Sequence, residues 1–282
     1  MEDRSMLIDG VRVPRFLYGT AWKAERTRGL VTTALGRGFR GVDTANQLRH
    51  YDEAEVGHGV ADSIAAGVVD CDGLFLQTKF TSRDGQDHRL PYDPAAPVGE
   101  QVRQSFASSL EHLGVEAIDS YILHGPTRRV GLAAADWEAW RAIEALHDEG
   151  RARLIGVSNV SLDQLREFHR EARSPLRFVQ NRCFAALGWD REVRAFCDAN
   201  GIVYQGFSLL TANRKALADP EIARIASRHG RTVAQVAFRF ALQVGILPLT
   251  GTADARHMDE DLEAFDFQLD DAEVDRIERL GG

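Results

Sequence analysis

Four residues in the first half of the chain, Asp43, Tyr51, Lys79 and His124, have the types needed for a single proton-transfer site. A free tyrosine titrates at about 10 and is a reluctant acid near neutrality. A lysine ammonium a few ångströms away favours the phenolate, and an aspartate paired with the lysine keeps it charged and aimed. The phenol is then a usable general acid, and a histidine at the same spot orients a carbonyl oxygen or helps relay the proton. Such a quartet suits reduction of a C=O group wherever something supplies hydride. Lysine is also scarce, occurring only at 23, 79 and 215 among 34 Lys and Arg residues. Arginine does not readily stand in for a compact ammonium, so position 79 reads as a requirement.

These residues sit where apolar runs give way to polar loop. Asp43 ends the stretch 39–42, Lys79 follows Leu74-Phe75-Leu76-Gln77-Thr78, and His124 closes 118–123. Along the chain, short apolar runs alternate with longer amphipathic stretches, the pattern of βα units. Strands are predicted at 16–18, 41–43, 74–79, 118–124, 154–158, 178–181, 203–207 and 246–250. Eight such units predict a (β/α)8 TIM barrel, in which the carboxyl ends of the strands share one face and catalytic groups converge there. Gly36, Gly38, Gly150 and Gly201 mark helix ends, and Pro97 and Ser161 mark helix starts. Residues 6–14, with Asp9-Gly10 between apolar neighbours, predict a β-hairpin plugging the bottom of the barrel. The segment 84–97, rich in Pro, Gly and Asp, predicts a loop over the top face or a floppy insertion.

A chain of 282 residues at 44% hydrophobic has the size of one barrel domain spanning 1–282. Its net charge of −8, with no basic run, argues against nucleic acid or an anionic membrane as partner. Cys71, Cys183 and Cys197 are few, odd in number and without metal-ligand spacing, so reduced, mostly buried thiols and no metal site are expected. The polar start Met1-Glu2-Asp3-Arg4 and the lack of an apolar run of membrane-spanning length predict a cytoplasmic protein. The expected partner is a small-molecule carbonyl substrate, with the chain a monomer or weak homo-oligomer.

The motifs around these residues resemble the aldo-keto reductase family over almost the whole chain. Gly19-Thr20-Ala21-Trp22 looks like the family's first-strand turn. Gly41-Val42-Asp43-Thr44-Ala45, followed by His50-Tyr51-Asp52-Glu53-Ala54-Glu55-Val56-Gly57, resembles its Asp and Tyr signature. The Asp43-to-Tyr51 interval is longer than the commonest family spacing, as in a subgroup with an insertion there. Tyr51 rather than His50 supplies the phenol. Thr78-Lys79-Phe80 and Tyr121-Ile122-Leu123-His124-Gly125-Pro126 resemble the lysine and histidine strands. The resemblance implies reduction of an aldehyde or ketone to an alcohol with NADPH. Tyr51 would be the general acid, Lys79 and Asp43 would tune it, and His124 would place the oxygen. A cofactor-binding regulatory or sensing subunit on the same fold is the alternative, which the presence of all four groups disfavours.

No Gly-x-Gly-x-x-Gly follows a strand, so a Rossmann site is not expected. By resemblance the cofactor lies extended over the barrel mouth, near Thr20 and with Asp43 by the nicotinamide ribose. Ser158, Asn159 and Gln180 would hold the carboxamide, Phe207 would stack on the ring, and Ser208 and Leu210 would lie along the pyrophosphate. The segment Leu247-Pro248-Leu249-Thr250-Gly251-Thr252 and residues 254–265 match the part that grips the adenosine phosphate. There Leu249 replaces the usual Lys, Thr250 the usual Ser and His257 the usual Arg. Glu260 and Asp261 stand where the family has Glu and Asn. The 2′-phosphate is expected to meet Arg256, His257 and a helix amino terminus. After Phe265-Asp266-Phe267 the chain runs through one helix to Gly282, so a more open mouth is expected than in relatives with a long closing loop. Its candidate walls are Trp22, Phe80 and the loops 83–89, 127–132 and 211–215.

Overall fold

In the computed structural model, residues 3–280 are described. Met1, Glu2, Gly281, Gly282 and the side chain of Cys71 lie outside the described residues. An antiparallel hairpin comes first, β1 (Ser5–Ile8) and β2 (Val11–Pro14). Asp9 and Gly10 join the strands with φ of 47° and 83°, the left-handed pair a two-residue hairpin turn needs. Met6, Ile8 and Val11 then pack against a floor formed by Val13, Leu17, Phe75, Ile122, Leu154, Phe178, Leu247 and Leu249. Arg177 grips Asp9 at 2.6 Å and so ties the hairpin to the barrel.

Eight parallel strands close the barrel: β3 (Leu17–Gly19), β4 (Gly41–Asp43), β5 (Phe75–Phe80), β6 (Ile118–Leu123), β7 (Ala152–Ser158), β8 (Leu176–Arg182), β9 (Val203–Phe207) and β10 (Ile246–Thr250). β10 pairs with both β9 and β3 and completes the circuit. β4, β9 and β10 have the bounds their apolar runs predict. β7 and β8 are longer than predicted, running through Arg153 and Arg177, and the register between them shifts at Ile155/Gly156.

The helices are α1 (Thr27–Gly36), α2 (Glu53–Ala65), α3 (Val98–Leu113), α4 (Ala134–Asp148), α5 (Leu162–Glu171), α6 (Arg191–Ala199), α7 (Arg214–Leu217), α8 (Pro220–His229), α9 (Val233–Gln243), α10 (Ala255–Leu262) and α11 (Asp271–Glu278). Side-chain oxygens cap several amino termini, with reciprocal bonds at Ser161 of α5, Thr232 of α9 and Asp270 of α11. Among the described residues no helix is long and apolar enough to cross a membrane. Cys183 and Cys197 are free and buried, and burial pushes both thiols up to about 12. The segment 84–97 is tied down over residues 46–48: the Gly85 carbonyl accepts from Gln47 (2.7 Å), Gln86 donates to the Asn46 carbonyl (2.9 Å), and Arg89 donates to the Leu48 carbonyl (2.6 Å).

One contact between helices sets the position of Tyr51. Asp52 caps α2, accepting from the Glu55 amide at 3.2 Å, so the tyrosine stands immediately ahead of the helix. The next residue, Glu53, is buried, and its carboxylate takes the Thr78 hydroxyl and lies 3.0 Å from Nδ1 of His112 on α3. This arrangement requires α2 and α3 to touch backbone to backbone. A Cβ added to Gly57 would lie 1.9 Å from the His112 carbonyl oxygen, whereas one added to Gly29 of α1 meets nothing within 4 Å. Gly57→Ala is therefore expected to cost about 1–3 kcal/mol through forced separation of the helices. In a thermal melt that cost appears as a midpoint lowered by several degrees, at about 2–4 °C per kcal/mol. Gly29→Ala, which only improves helix propensity, should hold or raise the midpoint.

Candidate active site

Above the apolar floor the barrel interior turns polar. Lys79 is fully buried, with Nζ 2.6 Å from Oδ1 of Asp43 and 2.7 Å from the Thr44 carbonyl. The same Oδ1 accepts from Nε2 of Gln77 at 2.7 Å and of Gln180 at 3.0 Å. Gln205 joins both glutamines, and Ser120 donates to Gln77 at 2.8 Å. Burial draws the ammonium of Lys79 below its ordinary range, and Asp43 opposes that fall. The amides and the carbonyl supply the hydrogen bonds that make such a buried pair tolerable.

Tyr51 and His124 stand over this pair, their ring centroids 6.0 Å apart, with Nζ of Lys79 5.5 Å from the centre of the tyrosine ring. The expected lowering of the phenol does not occur in this arrangement. Burial raises the Tyr51 phenol above its ordinary range, and the Asp43 carboxylate raises it further. Asp43 offsets the charge of Lys79, so the pair presents little net positive field to the ring. His124 is displaced the other way, down to about 3, by burial first, then by the Lys79 ammonium and by the neighbouring His50 ring. Its imidazole is neutral at any working pH, and Nδ1 lies 2.6 Å from the Thr81 hydroxyl.

From this point a cleft of about 810 Å³ runs across the barrel mouth to α10. Asp43, Tyr51, His124, Ser158, Gln180, Phe207, Ser208, Leu210, Thr250, Arg256, His257, Glu260, Asp261 and Trp22 all line it. Three residues expected at the site lie outside the cleft lining. Phe80 is buried and packs on Tyr92 at 5.7 Å, because strand alternation turns it outward when Lys79 points inward. Thr20 is also buried, and its hydroxyl donates to the Asp43 carbonyl at 3.0 Å, behind the cleft. Asn159 stands beside the cleft rather than in its wall, its amide nitrogen 2.8 Å from the His124 carbonyl and 3.1 Å from Oγ of Ser158. Of the three expected loops, only 211–215 contributes a residue, Thr211.

The helix amino terminus expected to meet a phosphate already has an anion. Asp254 accepts from the amides of Arg256 (2.8 Å) and His257 (3.3 Å). Arg256 meanwhile pairs with Glu260 at 3.2 Å and with Nε2 of His257 at 3.2 Å. Asp261 is buried with Oδ2 unpartnered, and burial raises its carboxyl to about 7.

Sequence reasoning passed over three further residues in the wall. His50 stacks on Trp22 with centroids 3.9 Å apart, and the Trp22 amide donates to the His50 carbonyl at 2.7 Å. Arg182 lies 5.7 Å from the centre of the Phe207 ring. Lys23 is buried, donates to the Gly251 carbonyl, and has no carboxylate partner among the described residues. The rarity of lysine was the available signal for Lys23; the other two contacts join residues from different loops. A buried cation without a carboxylate partner among the described residues, a buried carboxyl with one oxygen unpartnered and an aromatic face in one elongated cleft fit a nicotinamide dinucleotide.

A model of the aldo/keto reductase family matches residues 18–281. The morphine 6-dehydrogenase of Pseudomonas putida is 30% identical over 307 residues, covering 99% of this chain and 93% of that protein. The glyoxal reductase of Bacillus subtilis is 29% identical over 284 residues, with the same two coverages. A solved aldo-keto reductase complexed with NADPH superposes with a TM-score of 0.84 at 25% identity, over 99% of this chain and 88% of that one. The chain belongs to the aldo/keto reductase family. It is an NAD(P)H-dependent reductase of carbonyl compounds.

Lys79→Met leaves Asp43 buried without its counter-ion, a change that costs about 3–5 kcal/mol. We expect a lowered thermal midpoint and nearly complete loss of turnover. Lys79→Arg should recover little activity, since the guanidinium fork does not fit between Asp43 and the Thr44 carbonyl. Full activity in the arginine variant, measured by steady-state assay, would mean that positive charge alone suffices at this position.

Proposed function

We propose that this protein reduces an aldehyde or ketone to an alcohol with NADPH, with Tyr51 as the proton donor and His124 orienting the carbonyl oxygen. The observation that carries this reading is the convergence of Tyr51 and His124 on one cleft wall directly above the buried Lys79–Asp43 pair. Ser158 and Gln180 would hold the carboxamide, with Asn159 bracing Ser158. Phe207 would face the nicotinamide, Ser208, Leu210 and Lys23 would lie along the pyrophosphate, and Glu260 and Asp261 would lie at the adenine. When bound, the reduced nicotinamide supplies hydride to the carbonyl carbon.

The remaining work falls to the chain. Because Tyr51 stays protonated, it presents hydrogen to an oxygen in the cleft without a preceding ionisation, and the neutral ring of His124 adds no charge of its own. An alkoxide is a stronger base than a phenolate, so the tyrosine proton moves only as charge develops on the substrate oxygen. The phenolate left behind would compete with Asp43 for the ammonium of Lys79, which lies 5.5 Å from the ring centre. The direct test incubates purified protein with NADPH and aromatic, aliphatic and dicarbonyl substrates while following cofactor absorbance. Tight cofactor binding with no turnover on any of them would instead favour the sensing subunit.

Tyr51→Phe removes the proton and no ligand to the nucleotide. Turnover is expected to fall by about 10²–10⁴ while the cofactor Kd hardly changes. His50→Ala should keep its turnover, and the reverse outcome would assign the phenol's role to the wrong residue.

The preference for NADPH over NADH should be modest. Leu249 supplies no ammonium, Asp254 occupies the helix amides, and Glu260 engages Arg256. Arg256→Ala and His257→Ala are each expected to weaken NADPH by about one power of ten and to spare NADH. Asp254→Asn keeps an oxygen cap but removes a negative charge, so it should tighten NADPH alone. Dissociation constants for both cofactors decide the matter, and equal changes in the two would mean that these side chains only hold α10 in place.

A further inference from the structure

His124 is gripped from behind by a residue with no part in the scheme above. Thr81 lies two positions beyond Lys79, so strand alternation sends its side chain to the same interior side. It is buried, with its hydroxyl 2.6 Å from Nδ1 of His124. Its backbone is fixed separately, the carbonyl accepting from the Tyr92 hydroxyl at 2.9 Å and from Nε2 of Gln86 at 3.3 Å. Even its methyl group has a fitted neighbour: a Cβ on Gly85 would come within 2.6 Å of it.

A neutral imidazole carries its proton on one nitrogen only, and the partner of the other nitrogen decides which. Two arrangements give the observed contact. In one, the Thr81 hydroxyl donates to a bare Nδ1, and Nε2–H faces the cleft. In the other, Nδ1–H donates to the hydroxyl, whose own proton then needs a second acceptor. Among the described residues, His124 is the one hydrogen-bond partner of the Thr81 hydroxyl. The second arrangement therefore leaves a buried O–H unpaired and turns a lone pair of Nε2 toward the site, so the first is favoured.

We propose that Thr81 is a positioning residue that holds His124 in the Nε2–H form, so that the imidazole offers a donor to the substrate oxygen. This rests on the carbonyl-reduction reading for its consequence, but not for its geometry. A carbonyl oxygen, and still more the oxyanion formed from it, accepts hydrogen bonds and is repelled by a lone pair. The hydroxyl of Thr81 thus decides whether the ring assists or opposes the developing charge.

The test reads the tautomer directly. Long-range ¹H–¹⁵N spectra of histidine-labelled protein, with His124 assigned by the signals lost in His124→Gln, should show wild-type His124 protonated at Nε2 and bare at Nδ1 throughout pH 6–8. Thr81→Val keeps the shape and removes the donor. It should shift His124 to a mixture or to the Nδ1–H form and lower kcat by about 10²-fold, with the NADPH Kd unchanged. Thr81→Ser should restore both tautomer and turnover. If Thr81→Val does not fold, Thr81→Ala serves with the same two readouts. An Nδ1–H form in the wild type, or an unchanged tautomer in the folded valine or alanine variant, overturns the proposal. The spectra need no turnover, so failure of the carbonyl-reduction reading would show separately, as a wild-type protein with the Nε2–H tautomer and no activity on carbonyl substrates.

Discussion

A lysine and an aspartate taken out of water at the centre of a barrel must be satisfied completely, and much of the surrounding architecture follows from that demand. The Lys79–Asp43 pair at 2.6 Å would be a net cost if its remaining donors and acceptors were left bare. Thr44 provides a carbonyl for the ammonium, and Gln77 and Gln180 provide amides for the carboxylate. Those glutamines need partners in turn, which Gln205 and Ser120 supply. The outcome is a polar layer across the barrel, fully buried, between the apolar floor sealed by the hairpin and the open cleft. Its members come from five strands, β4, β5, β6, β8 and β9, so the layer forms only when the barrel closes.

That layer determines what the groups above it can do. A lone lysine would depress the phenol of Tyr51; a lysine neutralised by Asp43 does not, and burial dominates instead. His124 experiences the same burial together with the Lys79 ammonium, and stays neutral. Near neutrality the phenol of Tyr51 therefore rests protonated and the ring of His124 neutral. Its tuning consists less in bringing a pKa to neutrality than in holding hydrogen-bond donors where negative charge will appear. α2 contributes by placing Tyr51 just ahead of a capped helix whose first buried residue, Glu53, reaches the strand that carries Lys79.

Charge is distributed differently at the far end of the cleft. Asp254, Glu260 and Asp261 lie close to Arg256 and His257, and several of these groups already satisfy one another. A phosphate arriving there competes with the protein's own carboxylates, which differs from an open cationic pocket. Lys23 is the exception, a buried ammonium facing the cleft with a backbone carbonyl as its hydrogen-bond partner. Its location near Gly251 puts positive charge close to the strand in which Leu249 supplies none.

The eight strands, the plugging hairpin and the positions of Asp43, Lys79 and His124 were legible in the sequence, because each depends on local pattern. An apolar run with a period of two ends at a polar residue, and Asp9-Gly10 favours one turn. Strand alternation also held the information that Phe80 faces away from Lys79 and that Thr81 faces with it, though a reading by motif passes over it. Tertiary structure alone decided which side chains satisfy one another. The lack of a counter-ion for Lys23 among the described residues, the polar layer of Gln77 and Gln205, and the upward displacement of Tyr51 all depend on burial and on neighbours distant in the chain. Local pattern sets where a side chain leaves the backbone. Its charge state and its partners are set by what the closed barrel brings within about 3 Å of it and by how much water remains, and neither exists until distant strands have met.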